Sequence, residues 1–343
     1  MTKLHESFCR QRETERGFTL LEVLVSIAVI AILLSLIVPA IQLSRESARR
    51  TQCINHLKQF GVAISGYEST FRFLPGSRED NRTIGGRFVI PPQVVMLGFL
   101  EKQSTLRMIE ESPVFSAVSL DMQPEISFLT CPSDSIEARI NYRMCTGASS
   151  YLLEAPTDGG PTGAGGAFAW RSKDAPVTMA SITDGLSNTA AMSERLGSDF
   201  GSRGFDKQRD MWLTGASGSA RVYHDAERCL ALCSSLQQDP GRFVFRYSGA
   251  FYLDASYSSS YYNHVLPPNS PIADCSLNTV GDADLAGANP EMRSNIGATK
   301  ANSLHQGGAV NVLFLDGGVR TVSSTVDLAT WRAAATRDSG EIQ

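Results

Sequence analysis

The sequence predicts an α+β protein in which a long N-terminal α-helix, with a transmembrane part and a stem, packs on a mostly antiparallel β head domain. Three observations predict this class. An uncharged apolar run extends from Val23 to Leu43, an apolar stripe at helical spacing follows it, and the C-terminal part contains β-prone runs joined by turn-forming residues. With 343 residues, 42 % of them apolar, and a net charge of −4, the chain has room for a substantial core. Its composition indicates neither disorder nor a basic nucleic-acid-binding surface.

The apolar run is long enough to cross a bilayer, because a helix of this length spans ~30 Å. A core helix would offer a polar face to water, and this segment has none. A cleaved secretory signal would have a shorter apolar region, about 7–15 residues, followed by a small-residue cleavage site, whereas this run meets Pro39-Ala40-Ile41. We therefore expect a membrane-spanning helix, which Pro39 should kink near its outer end because proline lacks the N–H donor.

Beyond the run, the helix is predicted to continue as a stem. Six apolar residues recur at a 4-3-4-3-4 spacing, which places them on one helix face. They are Cys53, Leu57, Phe60, Ile64, Tyr67 and Phe71. We expect this face to pack on a globular head, and Phe73-Leu74-Pro75-Gly76 to end the helix.

The rest of the chain reads as mostly β with long loops. Two runs rich in aromatic and branched residues predict strands, namely 243–247 and 249–253. The runs 309–315 and 319–323 flank Asp316-Gly317-Gly318, whose Asp-Gly turn chemistry predicts a hairpin with Asp316 as turn former. Asp327 is expected to cap a short closing helix that continues through Trp331.

The residues that precede the apolar run, Arg16-Gly17-Phe18-Thr19-Leu20-Leu21-Glu22, resemble the type IV prepilin and pseudopilin family. Counted from Phe18, Glu22 is the fifth residue and Pro39 the twenty-second, as in that family. The resemblance implies that residues 1–17 are a cytoplasmic leader, that a prepilin peptidase cuts after Gly17, and that Phe18 is N-methylated. Residues 18–70 would then be the transmembrane and stem helix, with its membrane part at about 18–43, and 71–343 the extracytoplasmic head.

Glu22 is the one charge between Gly17 and Leu43, and a carboxylate at membrane depth usually has a partner. Cleavage would create an ammonium on Phe18, and the ammonium of a neighbouring subunit can pair with Glu22 in an apolar bundle. Removing one partner of such a desolvated pair is costly, so Glu22 is a candidate to set the register between helices during assembly. The alternative is that Glu22 serves only recognition by the peptidase or the insertion machinery.

A second resemblance covers most of the chain. Five segments occur in the order found in a large bacterial family known as domain of unknown function 1559, and its closing signature is a His, nine residues, then Asp-Gly. The segments are 44–59 with Cys53, LGFLEKQ at 97–103, CPSD at 131–134 followed by Asn141-Tyr142, ITDGLSNT at 182–189 followed by Glu194, and His305 to Asp316-Gly317. The signature residues carried over are Asp184, Gly185, Asn188, His305, Asp316 and Gly317.

In this chain ten residues, not nine, separate His305 from Asp316, and a bulge would absorb the extra residue. The resemblance implies a membrane-tethered, pilin-like protein of unestablished biochemical activity, anchored by one helix in the cell inner membrane with its head in the periplasm or at the cell surface.

Cysteine usage fits an exported head domain. Of seven cysteines Cys9 lies in the predicted leader, and the remaining six are compatible with bridges in an oxidising compartment. Sequence alone does not choose among their pairings. The family resemblance suggests Cys53–Cys131, since both residues lie in family motifs. Cys229 and Cys233 could form a local bridge or two thiols on one helix face.

The sequence contains few patterns typical of catalytic or metal sites. Gly159–Gly166 has no Gly-Lys-Ser/Thr after it and predicts a flexible loop, and the histidines of His224-Asp225 and His264 are expected on the surface or in the core. Gly281-Asp282-Ala283-Asp284 could offer carboxylates to Ca²⁺, but a solvated loop is favoured because the rest of an EF-hand pattern is absent. We expect no cofactor, no metal and no catalytic residue.

Three function classes follow. The favoured class is a pilin or pseudopilin-like structural protein that is a substrate of the prepilin peptidase/methyltransferase. It would lie in membrane lipid and assemble with pilin-like subunits through its N-terminal helix. We expect no nucleic-acid partner. The alternative is a tethered extracytoplasmic module that binds a glycan, peptide or protein. The third, a hydrolase using His305 and Asp316, rests on isolated residues, so we expect no enzymatic activity.

Overall fold

A computed structural model describes most of the chain after the predicted leader. The described residues are 18–76, 83–84, 88–111, 126–136, 138–149, 165–169, 176–199, 204–214, 226–236, 244–253, 257, 259–277 and 297–340. The chain forms two compact units, Met1–Ser47 and Ala48–Gln343. The predicted leader, with Gly17 and Cys9, lies outside the described residues.

The first unit contains the N-terminal part of helix α1 (Leu20–Phe71). Its apolar side chains are exposed, from Phe18 to Leu43, and the most apolar 18-residue window of the helix has no buried residue. A helix that is apolar all round and buries none of its faces is typical of a membrane span. The helix continues through Pro39 without ending there.

The second unit contains the remainder of α1, which packs on the head. The buried side chains on this part of the helix include Cys53, Leu57, Phe60, Ile64 and Tyr67, as the stripe predicts. Phe71, the last residue of both the predicted stripe and the helix, is 39 % exposed. Arg72 then adopts a positive φ of 65°, and its N–H donates to Glu68 O at 2.7 Å, an αL-type helix end.

The head combines short strands with short helices. In chain order its elements are β1 (Thr83–Ile84), β2 (Phe88–Val89), α2 (Pro92–Val95), a 3₁₀ turn (Met96–Phe99), α3 (Gln103–Glu111), a 3₁₀ turn (Ser127–Leu129), β3 (Tyr142–Cys145), a 3₁₀ turn (Met179–Ser181), β4 (Ala190–Glu194), β5 (Met211–Thr214), α4 (Ala226–Leu236), β6 (Val244–Phe245), β7 (Tyr261–Tyr262), β8 (Asp274–Leu277), β9 (Gly297–Ala298), β10 (Ala309–Phe314), β11 (Val319–Ser323) and α5 (Leu328–Ala333).

Within the described residues the strands form two larger sheets and one small hairpin. The five-stranded sheet has the order β11-β10-β4-β3-β7 and the four-stranded sheet the order β6-β5-β8-β9, while β1 pairs with β2. Most neighbours are antiparallel, but β3–β7 and β5–β8 are parallel. The predicted α+β class is therefore confirmed, with a mixed sheet in each larger layer.

The hairpin of β10 and β11 is confirmed, with Ala309 opposite Ser323 at its open end. Gly317 adopts a positive φ of 83°, and the N–H of Gly318 donates to Asp316 Oδ1 at 2.8 Å, which is the predicted turn role of Asp316. The ladder between β10 and β4 shifts register between Leu313 and Phe314. This irregularity lies inside the lengthened interval between the family's His and Asp-Gly, where the extra residue was expected to form a bulge.

The closing helix is also confirmed. Asp327 Oδ1 accepts the N–H of Thr330 at 2.9 Å at the start of α5, and Trp331 is buried. A side-chain acceptor at this position satisfies one of the amides that a helix start leaves without an intrahelical partner.

The predicted strand over residues 249–253 is wrong. Gly249 has a positive φ of 72°, and its carbonyl accepts the N–H groups of Arg139 and Ile140 at 2.9 and 3.2 Å. The run makes turns here, and Tyr252 is buried in the core without joining a strand. An aromatic-rich run satisfies burial equally well in a packed turn, which is why composition alone misassigned it.

The main core lies between the second part of α1 and the five-stranded sheet. There Leu57 and Phe60 share one apolar cluster with Tyr142, Met192 and Leu313. This core contains residues of β3, β4 and β10 together with Cys53 and its neighbours on the stem helix.

Candidate functional site

The N-terminal end of α1 contains a reciprocal hydrogen-bond arrangement between Thr19 and Glu22. The N–H of Glu22 donates to Thr19 Oγ1 at 3.3 Å, while the N–H and hydroxyl of Thr19 both donate to Glu22 Oε2 at 2.9 Å. This is a capping box, in which the two side chains satisfy amides at the helix start. Our sequence reasoning missed it, although the Thr-x-x-Glu spacing was visible. Glu22 therefore has a partner within its own chain, and Phe18 beside it is exposed.

A disulfide joins the stem helix to the head. Cys53 of α1 and Cys131, in the loop after the 3₁₀ turn Ser127–Leu129, are bonded with Cα atoms 5.5 Å apart and a sequence separation of 78. This is the pairing that the family resemblance suggested. Both cysteines are buried in the main core.

His305 and Glu194 lie against this disulfide. His305 Nε2 is 4.0 Å from Cys131 Sγ and 3.2 Å from Glu194 Oε1, and both side chains are buried. Glu194 ends β4, and Asn311 lies beside it because β10 is the antiparallel neighbour, with Val312 opposite Ser193. The Asn311 N–H donates to Glu194 Oε2 at 3.1 Å and its Nδ2 to Oε1 at 2.9 Å.

The Cys-Pro-Ser-Asp motif and the asparagine after it complete the same region. The N–H of Cys131 donates to Asn141 Oδ1 at 2.9 Å, and Asn141 Nδ2 donates to Asp134 Oδ2 at 2.9 Å. Asp134 also accepts Arg209 Nη1 at 2.7 Å. Residues from four of the five family segments thus meet around one buried polar cluster, which the sequence order alone did not reveal.

The structure does not bring His305 and Asp316 together as a pair. Asp316 is exposed at the hairpin turn, with Arg320 Nη2 4.0 Å away, whereas His305 is buried against Glu194. The turn role of Asp316 and Gly317 accounts for their position in the fold. The histidine's carboxylate neighbour is Glu194, which the sequence places among the family segments but does not identify as a partner.

Asp184, Gly185 and Asn188 hold the C-terminal segment. The Asp184 carboxylate accepts the N–H groups of Ser339 and Gly340 at 3.0 and 2.9 Å, and Asn188 Nδ2 donates to the Asp184 carbonyl at 3.0 Å. Partial burial by itself raises the pKa of Asp184, but these donors outweigh it and lower the pKa below its usual range. Gly185 has a positive φ of 95° in this turn. The three residues thus have a structural role in closing the chain on itself.

A second sulfur cluster joins α4 to β8. Cys233 forms a disulfide with Cys275, and Cys229, one helical turn before Cys233, is the third sulfur of the cluster, with the three sulfurs within 4.8 Å of one another. The sequence left Cys229–Cys233 open as a bridge, and the structure instead pairs Cys233 with a distant strand. Cys229 and Cys145 are the cysteines outside disulfides among the described residues, and burial raises the pKa of Cys145 to about 12.

A buried histidine and a buried ion cluster lie elsewhere in the head. His264 stacks on Trp331 with ring centroids 3.4 Å apart, and its Nδ1–H donates to Trp331 O. It is therefore a core histidine, which is one of the two positions, surface or core, that were expected for it. Asp274 accepts Arg195 Nε at 2.8 Å and lies 3.6 Å from Lys300 Nζ, all three side chains being buried. This ion cluster carried no sequence signal, because its members come from three distant segments.

Some predicted features lie outside the described residues and have no structural account here. They are the Gly281–Asp284 loop, residues 159–164 of the glycine-rich run and His224-Asp225.

Comparisons with known proteins agree with both resemblances. Residues 13–38 match the prokaryotic N-terminal methylation motif. Type II secretion system core protein G of Klebsiella michiganensis is 28 % identical over 83 residues, an alignment that spans 24 % of this chain and 58 % of that relative. No solved structure matches the chain.

The methylation motif and this distant relative indicate a pilin-like protein, and together with the exposed apolar helix they indicate membrane anchoring. A further match extends over residues 42–329, which is most of the chain. The chain therefore belongs to the family described as "Protein of unknown function (DUF1559)".

Proposed function

We propose that the protein is a membrane-anchored, pilin-like structural subunit that is cut after Gly17, N-methylated at Phe18 and assembled through α1. The observation that carries the proposal is a methylation motif over residues 13–38 that runs into a helix segment whose apolar side chains are all exposed. An apolar surface of this extent is covered in a working protein, either by lipid or by other apolar helices. Its partners are then the prepilin peptidase/methyltransferase and pilin-like subunits, of the same or another kind.

The capping box of Thr19 and Glu22 is the hydrogen-bonding state of Glu22 from which assembly would start. Before assembly the Glu22 carboxylate accepts donors from Thr19. After cleavage, the ammonium of a neighbouring subunit's Phe18 offers a charged donor, which makes a stronger hydrogen bond to a carboxylate than a neutral hydroxyl does. Assembly would exchange an intrachain cap for an interchain ion pair that sets the register between helices.

The domain layout and location follow from the same proposal. Residues 1–17 form the cytoplasmic leader, about 18–43 the span of the inner membrane, the helix to residue 70 the stem, and 71–343 the extracytoplasmic head. One disulfide within the head and one between the stem helix and the head support this side of the membrane, because disulfides persist in oxidising compartments. We assign no enzymatic activity, which is supported by the separation of His305, buried against Glu194, from Asp316 in the exposed hairpin turn.

The processing step is tested by mass spectrometry of the mature N-terminus, with the chain expressed together with a prepilin peptidase. The expected product begins at methylated Phe18. A chain that retains Met1, or one cut beyond Ala40, would contradict the processing.

The assembly step is tested by Glu22→Ala with Thr19→Ala as the matched control. Both variants disrupt the capping box, but only the first removes the carboxylate. We expect Glu22→Ala to insert into membranes and lose self-association in cross-linking, while Thr19→Ala still associates. Equal association by both variants would refute the ion-pair role. A processed protein that stays monomeric and binds a glycan or peptide would support the tethered-module alternative.

A further inference from the structure

We propose that Cys53, Cys131, Glu194 and His305 form a structural Zn²⁺ site when the two cysteines are reduced. One ligand atom from each of these residues lies within 4.8 Å of the others, and all four residues are buried. A tetrahedral zinc ion holds its ligands at about 2.0–2.3 Å, so the ligand atoms must lie about 3.3–3.8 Å apart. The cluster is therefore close to the required size, and opening the S–S bond lets the two sulfurs move apart to the spacing of two zinc ligands.

The directions of the contacts favour a metal site over a proton relay. In a relay, a histidine uses one ring nitrogen for each neighbour. Here the same nitrogen, Nε2 of His305, faces both Cys131 Sγ at 4.0 Å and Glu194 Oε1 at 3.2 Å. One sulfur and one oxygen atom therefore lie close to the same nitrogen, which is the grouping of atoms that a zinc site needs.

The surroundings supply what a closed zinc site requires. Asn311 donates to both oxygens of Glu194, and Asn141 accepts the N–H of Cys131, so two ligands are oriented by a second layer of hydrogen bonds. Two sulfurs, one imidazole and one carboxylate suit zinc, whereas Ca²⁺ and Mg²⁺ take oxygen ligands.

The four ligands come from four separate segments: α1, the loop after the 3₁₀ turn Ser127–Leu129, the end of β4 and the segment before β10. An ion at this point would tie the stem helix to the sheet, as the disulfide does in the oxidised chain. The two states exclude each other, because both use the same sulfur atoms.

The exchange between the disulfide and the zinc-bound state balances in atoms and electrons. A phosphine reductant reduces the disulfide by two electrons, giving two thiols and phosphine oxide, with water supplying the oxygen and the two protons. Zinc binding then releases both thiol protons to solvent. Neither step depends on whether the protein forms filaments.

The test uses the full chain in detergent, reduced with a phosphine without oxygen and then titrated with Zn²⁺, or with Co²⁺ as a spectroscopic probe. We expect Zn²⁺ bound in a first shell of two sulfurs and two nitrogen or oxygen atoms by X-ray absorption, and no such binding to the oxidised chain. The cluster of Cys229, Cys233 and Cys275 would give three sulfurs instead. Lack of binding by the reduced chain, or a three-sulfur shell alone, would overturn the proposal.

Variants assign the ligands. His305→Gln and Glu194→Gln should each weaken Zn²⁺ binding at least tenfold in competition with a chelator, while Cys229→Ser, at the other sulfur cluster, should leave it unchanged. Each variant's fold is checked by circular dichroism in its oxidised form. Unchanged affinity in both ligand variants would refute the assignment, and if either fails to fold, the absorption spectrum of the wild type decides.

Discussion

Removal of the disulfide between the stem helix and the head should be among the most destabilising changes in this protein. Cys53→Ala/Cys131→Ala opens a cross-link with a sequence separation of 78 residues. In the chain-entropy model, a loop of that length contributes about 4.5 kcal/mol through restriction of the unfolded chain. The same change at Cys233 and Cys275, which are separated by 42 residues, gives about 3.9 kcal/mol.

The assay is thermal unfolding of the full chain in detergent, followed by near-ultraviolet circular dichroism with EDTA present so that no zinc contributes. In a domain of this size, 1 kcal/mol corresponds to roughly 2–4 °C, so the Cys53→Ala/Cys131→Ala chain should unfold about 9–18 °C below wild type. Cys145→Ala is the matched control, since Cys145 is equally buried but belongs to neither disulfide.

The reasoning would be refuted if the Tm of the double variant fell by no more than that of the Cys145→Ala control. It would be refuted equally if phosphine-reduced wild type, with EDTA, kept the Tm of the oxidised chain. If zinc binds as proposed, its addition to the reduced wild type should raise the Tm, and its addition to the double variant should not.

Three further predictions concern the head. Burial lowers the pKa of His264 to about 3, below its unfolded value, so the unfolded chain takes up the proton first as the pH falls. The contribution of His264 to stability is therefore full above pH ~6.5 and is reduced by about 2 kcal/mol at pH 5. A His264→Gln chain with the same pH profile of Tm as wild type would contradict this. Gly249→Ala should lower the free energy of unfolding in urea by at least ~2 kcal/mol, since the φ of Gly249 is positive and the new Cβ would lie 2.7 Å from a carbonyl oxygen. Gly204→Ala is the control and should be near neutral, because no atom lies within 4 Å of its new Cβ. Asp274→Ala leaves two buried cations without their carboxylate and should lower the free energy of unfolding by about 3–5 kcal/mol. Asp206→Ala, whose side chain is 49 % exposed, should lower it by less than about 1 kcal/mol. Similar losses of stability in the two variants would show that burial of the ion pair does not matter.

Local patterns predicted those elements whose cause is local. The apolar stripe from Cys53 to Tyr67 follows from the helical period, and the hairpin at Asp316-Gly317 follows from turn chemistry. The cap at Asp327 follows from a single side-chain acceptor. The capping box of Thr19 and Glu22 was equally local, and it was missed because the charge of Glu22 was read only as a membrane and assembly signal.

Long-range pairings were beyond local patterns. Cys233 has Cys229 one helical turn away, yet it bonds to Cys275 of β8, because α4 packs on β5 and β9, the two strands that flank β8. The turn at Gly249 depends on its distant hydrogen bonds to residues 139 and 140, which no aromatic count in 249–253 reveals.

The order of residues along this chain determined an apolar helix with an N-terminal methylation motif at its start, an apolar stripe beyond it and the family membership of the head. Only the tertiary structure decided that His305 faces Glu194 and the Cys53–Cys131 sulfurs, while Asp316 remains in a solvent-exposed turn. The physical reason is that helical period and turn chemistry act between residues a few positions apart. The packing of β4 against β10 beneath α1, by contrast, joins residues more than a hundred positions apart, and the neighbours of a buried side chain are set by that packing.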